Sequence, residues 1–401
     1  MNKKTLKRNK SLIKFITFSL LIIFGFLLGT RSKSLESIIS RSSSSKISSQ
    51  DSISPKRLKE ALANKDFILI NVHTPYEGEI EKTDMFVDYD LLVANKDKLP
   101  KDKNASIVLY CKTGRMSAEA IQTLKSLGYT NVRHLDGGMD AWKKEGFGLL
   151  DLSSLPNQVL PEEGFELPIS WGDMGPRLIS LGVIDKSKFE SAVKTTDEQG
   201  DILSKGSQAK IRIDASNSQF VVDLLWAIGL AQKSKVYDEG PMGTQYKKDI
   251  GNFASTGGWT LAKGAAVNYI NKYDLISLTP EQQNRVAAIS KNVFRPCCGN
   301  STWFPDCNHG MAALAAIELM VSKGIPDDEI YKNVLKLNSF WFSSHYLSLG
   351  TYFARQGIPW DKVDAKLALS EDYSSGKAAG TLNQKVGPLP FEGPKGGGCG
   401  T

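Results

Sequence analysis

Ser106 to Tyr110 (SIVLY) is an unbroken apolar run that stops at a cysteine, and the residues CKTGRMS (111–117) lead from it into the helical pattern AEAIQTLKSLGY. Short continuous apolar runs are the form of strands covered on both faces, as in a parallel sheet. Phe67 to Val72 (FILINV) has the same form, and a third short strand is expected around Asn131 to His134. Parallel neighbours need a crossover, usually a helix, so the pattern predicts a β-loop-α-β unit. Upstream, Ser54-Pro55 before KRLKEAL reads as an N-cap with Pro at the first helical position. The unit places Cys111 at the carboxyl end of a strand, facing the start of a helix.

That position gives the cysteine a chemistry. Successive amides of a tight loop and the positive end of a helix dipole stabilise an anion, so a thiolate or persulfide is favoured and the thiol pKa is expected to fall. Gly114 lets the loop curl, and Lys112 and Arg115 add positive charge for an anionic sulfur donor. A lone cysteine on a strand is more often a buried structural residue, but its place at the strand end beside Lys, Gly and Arg favours chemistry.

From Ile53 to Gly146 the sequence resembles the rhodanese family of sulfurtransferases. The resemblance rests on SPKRLKEAL, NVHTPYE, CKTGRMS and LKSLGYTNVRHLDGGMDAW, in that order. It implies that Cys111 accepts a sulfane sulfur from a donor such as thiosulfate and passes it to a thiol acceptor. The backbone of Lys112, Thr113, Gly114, Arg115 and Met116 would cradle the persulfide, and no cofactor is required. Asn71-Val72-His73 stands where the family's usual pattern is Asp-Val-Arg, while Glu77 is retained. The lost Asp/Arg ion pair is expected to weaken the domain or its donor site. Gly137-Gly138-Met139 and Trp142 match the family's turn and closing helix and are read as structural. His73 and His134 are read as partly buried and satisfied, because persulfide transfer needs no general base once the thiolate has formed.

Beyond a Pro-containing connector (LSSLPNQVLPEEGFELP) the signals are helical. Asp214 to Asn217 caps a helix from Phe220 to Gln232, a helix is expected over Leu261 to Tyr273, and Thr279-Pro280-Glu281-Gln282 opens another as a capping box. Met311 to Lys323 ends at Gly324, and Asp327 or Asp328 caps the next helix from Glu329. Six of the seven Trp residues lie here, which argues for a substantial core or a lined pocket. Three of the five cysteines and one of the four histidines fall between Cys297 and His309. Cys297, Cys298, Cys307 and His309, with Asp306 as a further or outer ligand, are donors suited to zinc, copper or haem-type iron. Also open, in that order after the metal site, are a redox or sulfur-accepting thiol site, pairing Cys297 or Cys298 with Cys307, and a disulfide plus a buried thiol that staples the loop. Cys307 and His309 sit just before a helix, where the dipole lowers a thiol pKa. His345, in an aromatic stretch, reads as core.

The formal charge of +7 looks like a nucleic-acid signal until it is located. Residues 1–46 carry ten of the 50 Lys/Arg and one of the 43 acids, which leaves 40 bases against 42 acids in the remainder. The basic footprint of a nucleic-acid partner is therefore missing from the rest of the chain. Lys3, Lys4, Lys7, Arg8, Lys10 and Lys14 precede the uncharged run Phe15 to Gly29, an n-region and an h-region. No good small-x-small cleavage site follows, so an uncleaved anchor is favoured over a cleaved leader, and the positive-inside rule leaves the remainder outside the cytoplasm.

The expected organisation is a membrane segment (1–31), a Ser-rich linker (32–52), an α/β rhodanese-like domain with a parallel sheet flanked by helices (53–150), a mainly α-helical Cys/His domain (160–375) and a flexible Gly/Pro-rich tail (376–401) whose Cys399 is a mobile thiol. The reading that follows is a membrane-tethered extracytoplasmic sulfurtransferase with a persulfide on Cys111, coupled to a helical domain with a metal or thiol site. The alternative is a non-enzymatic binding module of the same fold with a metal- or redox-partner-binding C-terminal domain.

Overall fold

The computed structural model of the protein describes residues 51–391. The membrane segment, all but the end of the linker, and Cys399 lie outside the described residues. Among the described residues no helix is long and apolar enough to cross a membrane.

Five short strands, β1 (Ser52–Ile53), β2 (Ile68–Asn71), β3 (Met85–Phe86), β4 (Ile107–Tyr110) and β5 (Val132–Leu135), form one sheet in the order β1-β5-β4-β2-β3. Every pairing is parallel, with Ile68 opposite Ile107 and Ile107 opposite Val132. Successive side chains alternate between faces. Leu69, Val108 and Tyr110 meet Leu58 of helix α1 (Pro55–Ala61) and Trp142 of α3 (Gly138–Lys144). Ile70, Ile107 and Leu109 meet Ala120, Ile121 and Leu124 of α2 (Arg115–Ser126). Helices on both faces are why the strands read as unbroken apolar runs. Helix α1 starts as its sequence requires, with Pro55 in the first turn and the Ser54 side chain accepting from the Arg57 amide at 3.5 Å.

The remainder of the described chain is mainly helical, around one core that begins at Leu152. At its centre lie α4 (Ser218–Ala231) and α6 (Asn308–Ser322), both buried along nearly their whole length. They approach closely because Gly229 has no side chain: a Cβ there would stand 2.3 Å from the Met311 carbonyl oxygen. Around them pack α5 (Pro280–Ser290), opened by a Thr279/Gln282 capping box, α7 (Asp327–Trp341), α8 (Ser343–Arg355) and α9 (Gly376–Val386).

Three details correct the sequence reading. Residues 376–386 are not a loose tail but helix α9, because Ser375 caps it and Leu382 and Val386 are buried. Leu261 to Tyr273 does not form a helix beyond the short turn Ala266–Asn268. Gly264 there takes a left-handed φ of 92°, and the amides of Asn271, Lys272 and Tyr273 are drawn to the last carbonyls of α4. The helical part also contains an antiparallel ribbon, β6 (Phe165–Gly172) with β7 (Ser207–Ile213). Its alternating Leu167, Ile169 and Trp171 face the core.

The two parts are joined by a buried ion pair. Arg355, at the end of α8, donates from Nε and Nη2 to the two carboxylate oxygens of Glu79, each at 2.8 Å. Its Nη1 donates to the carbonyls of Asp84 and Val386 at 3.0 and 2.9 Å. Neither side chain is more than 2% exposed.

Candidate functional site

Cys111 follows β4 directly, and Gly114, with φ of 94°, turns the chain into α2. The loop therefore curls around the sulfur. The Gly114 amide donates to Cys111 Sγ at 3.1 Å and the Ser117 amide at 3.5 Å. The Ser117 hydroxyl lies 3.5 Å from Sγ and 3.3 Å from His134 Nδ1, and donates to the Gly114 carbonyl at 3.1 Å. Burial holds the His134 imidazole below its ordinary pKa, so it is neutral at pH 7. The Met139 and Asp140 amides donate to the Cys111 and Lys112 carbonyls at 2.8 and 2.9 Å. Gly138 makes this possible, since a Cβ there would lie 2.3 Å from the Cys111 carbonyl oxygen.

The charged residues of the loop face elsewhere. Lys112 pairs with Glu77 at 2.7 Å and Arg115 with Glu119 at 2.7 Å, all four exposed or half-exposed. The expected addition of free positive charge is thus compensated on the spot. Thr113 and Met116 complete the turn, but the amides that reach the sulfur are those of Gly114 and Ser117. Asn71, fully buried, uses both ends of its amide: Nδ2 donates to the Gly78 carbonyl, and Oδ1 accepts from the His73 amide, each at 3.0 Å. A neutral side chain here orders the 72–78 loop without an ion pair. His73 Nε2 lies 3.5 Å from Glu77.

The second cysteine group, clustered in the sequence, is also close in space. Cys307 caps α6, and its Sγ accepts from the Gly310 amide at 3.4 Å. Cys297 Sγ lies 3.6 Å from Cys307 Sγ and 3.2 Å from Cys298 Sγ. Cys297, Cys307 and His309 offer donor atoms within 4.8 Å of one another, as do Cys298, Asp306 and Cys307. The expected ligands therefore form two overlapping triads that share Cys307. Arg295, 1% exposed, donates from Nε to Cys307 Sγ at 2.9 Å. Its other nitrogens bind the Asn300 and Phe304 carbonyls and the Asp306 carboxylate. The thiols of Cys297 and Cys298, together with the guanidinium, hold Cys307 well below its ordinary pKa. Hydrogen bonds from the Cys297 thiol to Cys298 and Cys307 push Cys297 up. Behind His309 stands Asp223 of α4, its carboxyl pushed up to about 6 by burial. His345 is buried and held down to about 4, a neutral core residue.

Ser117 and Arg295 also touch the cysteine sulfurs, and the sequence alone does not single them out. Ser117 lies within the quoted loop motif, one helical turn past Gly114. Arg295 sits two residues before Cys297, but a single arginine in a polar loop carries no signature until its burial is known.

A parallel sheet with a cysteine cradled between a strand end and a helix start defines a class. Residues 54–145 match the model of the rhodanese-like domain. Through this segment the chain belongs to the rhodanese-like family. It is 30% identical over 102 residues to a sulfurtransferase of Allochromatium vinosum, covering 24% of this chain and 92% of that protein. It is 38% identical over 98 residues to the probable adenylyltransferase/sulfurtransferase MoeZ of Mycobacterium tuberculosis, covering 23% and 24%. An uncharacterized protein of Synechocystis sp. is 31% identical over 108 residues, covering 27% and 60%. The chain thus spans less than two thirds of each of these last two relatives.

Proposed function

We propose that the protein is a sulfurtransferase whose Cys111 carries a persulfide. The observation behind this reading is the sulfur placed at the head of α2 with two amides aimed at it. The Cys111 thiolate attacks the outer sulfur of a sulfane donor such as thiosulfate. The S–S bond of the donor breaks, sulfite leaves with its electron pair, and the charge of Cys111–S–S⁻ rests against the Gly114 and Ser117 amides. An acceptor thiolate then attacks the terminal sulfur, and Cys111 leaves as thiolate. Intact mass with peptide mapping before and after thiosulfate tests this. A gain of one sulfur on the Cys111 peptide, lost in Cys111→Ser, is expected, and an unchanged peptide refutes it.

The basic run before Phe15 to Gly29 supports tethering to a membrane, with the remaining chain outside the cytoplasm. Membrane fractionation of the full chain and of a chain lacking residues 1–31 tests it: both staying soluble refutes the tether. The paired state of Lys112 and Arg115 favours a second reading, a binding module that transfers no sulfur. Unchanged cellular function in Cys111→Ser would favour that reading.

A further inference from the structure

We propose that Cys297 and Cys307 form a dithiol centre that takes the terminal sulfur of a persulfide and releases it as hydrosulfide, closing a Cys297–Cys307 disulfide. The identity of the incoming atom rests on the sulfur-transfer reading, but the site itself is independent of Cys111.

Exposure and charge divide the labour between the two thiols. Cys297 is exposed, so a donor can reach it, whereas Cys307 is buried. Cys307 is held as a nucleophile by the Arg295 guanidinium at 2.9 Å and by the Gly310 amide at the head of α6. That cation is built in. Gly310 leaves the space it fills, since a Cβ there would lie 2.5 Å from the guanidinium carbon. Three further acceptors keep Arg295 in place when the charge on Cys307 disappears: the Asn300 and Phe304 carbonyls and Asp306. A metal ion would have to share Cys307 with this guanidinium.

The chemistry balances with thiols alone. The Cys307 thiolate, 3.6 Å away, takes the Cys297 proton as the Cys297 sulfur attacks the terminal sulfur of RS–SH, giving Cys297–S–SH, and the leaving RS⁻ carries that proton off as RSH, restoring the Cys307 thiolate. The Cys307 thiolate, 3.6 Å from Cys297 Sγ, attacks that inner sulfur and expels HS⁻. One sulfane sulfur is reduced to sulfide while two thiols are oxidised to a disulfide, and an external thiol restores the pair. Cys298 is a poor partner for Cys297. Adjacent residues have Cα atoms about 3.8 Å apart, closer than the roughly 4.4–6.8 Å of ordinary disulfides.

The test uses the reduced full chain with Cys111→Ser and Cys399→Ser, which leaves the cluster as the only cysteines, and glutathione persulfide as the probe. One hydrosulfide per chain is expected, together with a Cys297–Cys307 disulfide in non-reducing peptide maps. Adding Cys307→Ser is expected to trap the extra sulfur on Cys297 and slow release at least ~10-fold. The peptide map of the intact cluster decides the matter even if Cys307→Ser does not fold. Extra sulfur that persists on Cys297 in the intact cluster overturns the proposal. So does a disulfide formed equally fast with oxidised glutathione, which would mark ordinary dithiol exchange. A stoichiometric metal that co-purifies and blocks the thiols also overturns it. Failure of Cys111 to load from thiosulfate leaves these results standing, because the persulfide is supplied directly.

Discussion

Cys111 and Cys307 both stand at the head of a long helix with an amide from the first turn on the sulfur, yet their surroundings differ in kind. Around Cys111 the sulfur meets only neutral donors, and the nearby charges are paired at the surface. Around Cys307 a buried guanidinium makes the contact. The same local device, loop then helix start, thus yields an amide cradle in one place and an ion pair in low dielectric in the other. Charge in water is screened and adjustable, whereas buried charge must be matched locally.

That contrast sets the order of mutational effects. Arg295→Leu removes the cation that faces Asp306 and Cys307 and leaves the Asn300 carbonyl without its donor, while the Phe304 carbonyl keeps the Asp306 amide. A loss of about 3–5 kcal/mol in unfolding free energy is expected from denaturant titration. A loss below about 1 kcal/mol would erase the distinction between the two sites. Gly138→Ala ranks next. Its Cβ meets two backbone carbonyl oxygens, at 2.3 and 2.5 Å, in a left-handed conformation. Overpacking of about 1–3 kcal/mol and backbone strain of about 1–2 kcal/mol add there, and loss of Cys111 loading should accompany the drop. Gly310→Ala meets a side chain instead and should cost only about 1–3 kcal/mol. Equal costs would mean that Arg295 is as immovable as backbone.

The difference between the sites also explains what the sequence made legible. The Cys111 site is local: strand, loop and helix are contiguous, so periodicity and one glycine place the sulfur. Ser54 and Thr279 announce their helices for the same reason. Arg295 is placed by a loop that folds back on it with no periodic signal, and Asp223 by its approach to His309 of α6 across the core. The buried Glu79–Arg355 pair joins residues 276 positions apart, beyond any periodic signal. Leu261 to Tyr273 shows helical spacing, but tertiary contacts to α4 claim its amides. Gly/Pro content misled at 376–386, where a Ser cap and two buried side chains outweigh it.

A pH dependence should separate the buried region from the exposed one. Glu318, on the same helix as Cys307, is fully buried, and burial pushes its carboxyl up to about 8, against the opposing pull of the Ser234 hydroxyl. In the unfolded chain it releases its proton near its ordinary value of 4.5. The folded state therefore binds the extra proton, and this contribution to stability is complete below pH 4.5. It is lost as pH rises towards about 8 and is constant above that, with a slope of at most about 1.4 kcal/mol per pH unit. Thermal unfolding of Glu318→Gln against the parent at several pH values should show a flatter profile for the variant. Parallel profiles would place Glu318 in water.

The smallest effects are expected at the mouth of the Cys111 loop. Lys112 holds the Glu77 carboxyl below its ordinary pKa, so Glu77 is ionised throughout the neutral range and cancels the lysine. Glu77→Gln uncovers that positive charge beside a site proposed to receive thiosulfate, a dianion, and should lower KM for thiosulfate about 2–3-fold at low salt. Lys112→Ala should raise it by a similar factor. Stability should stay within the spread of surface substitutions in both cases, because the pair is solvated. Both KM changes should fade in 0.5 M salt, where the screening length falls to about 4 Å. If they persist instead, the Lys112–Glu77 pair acts by direct contact with the donor rather than through its field, and the Cys111 site is closer in kind to the Cys307 site than its solvated charges indicate.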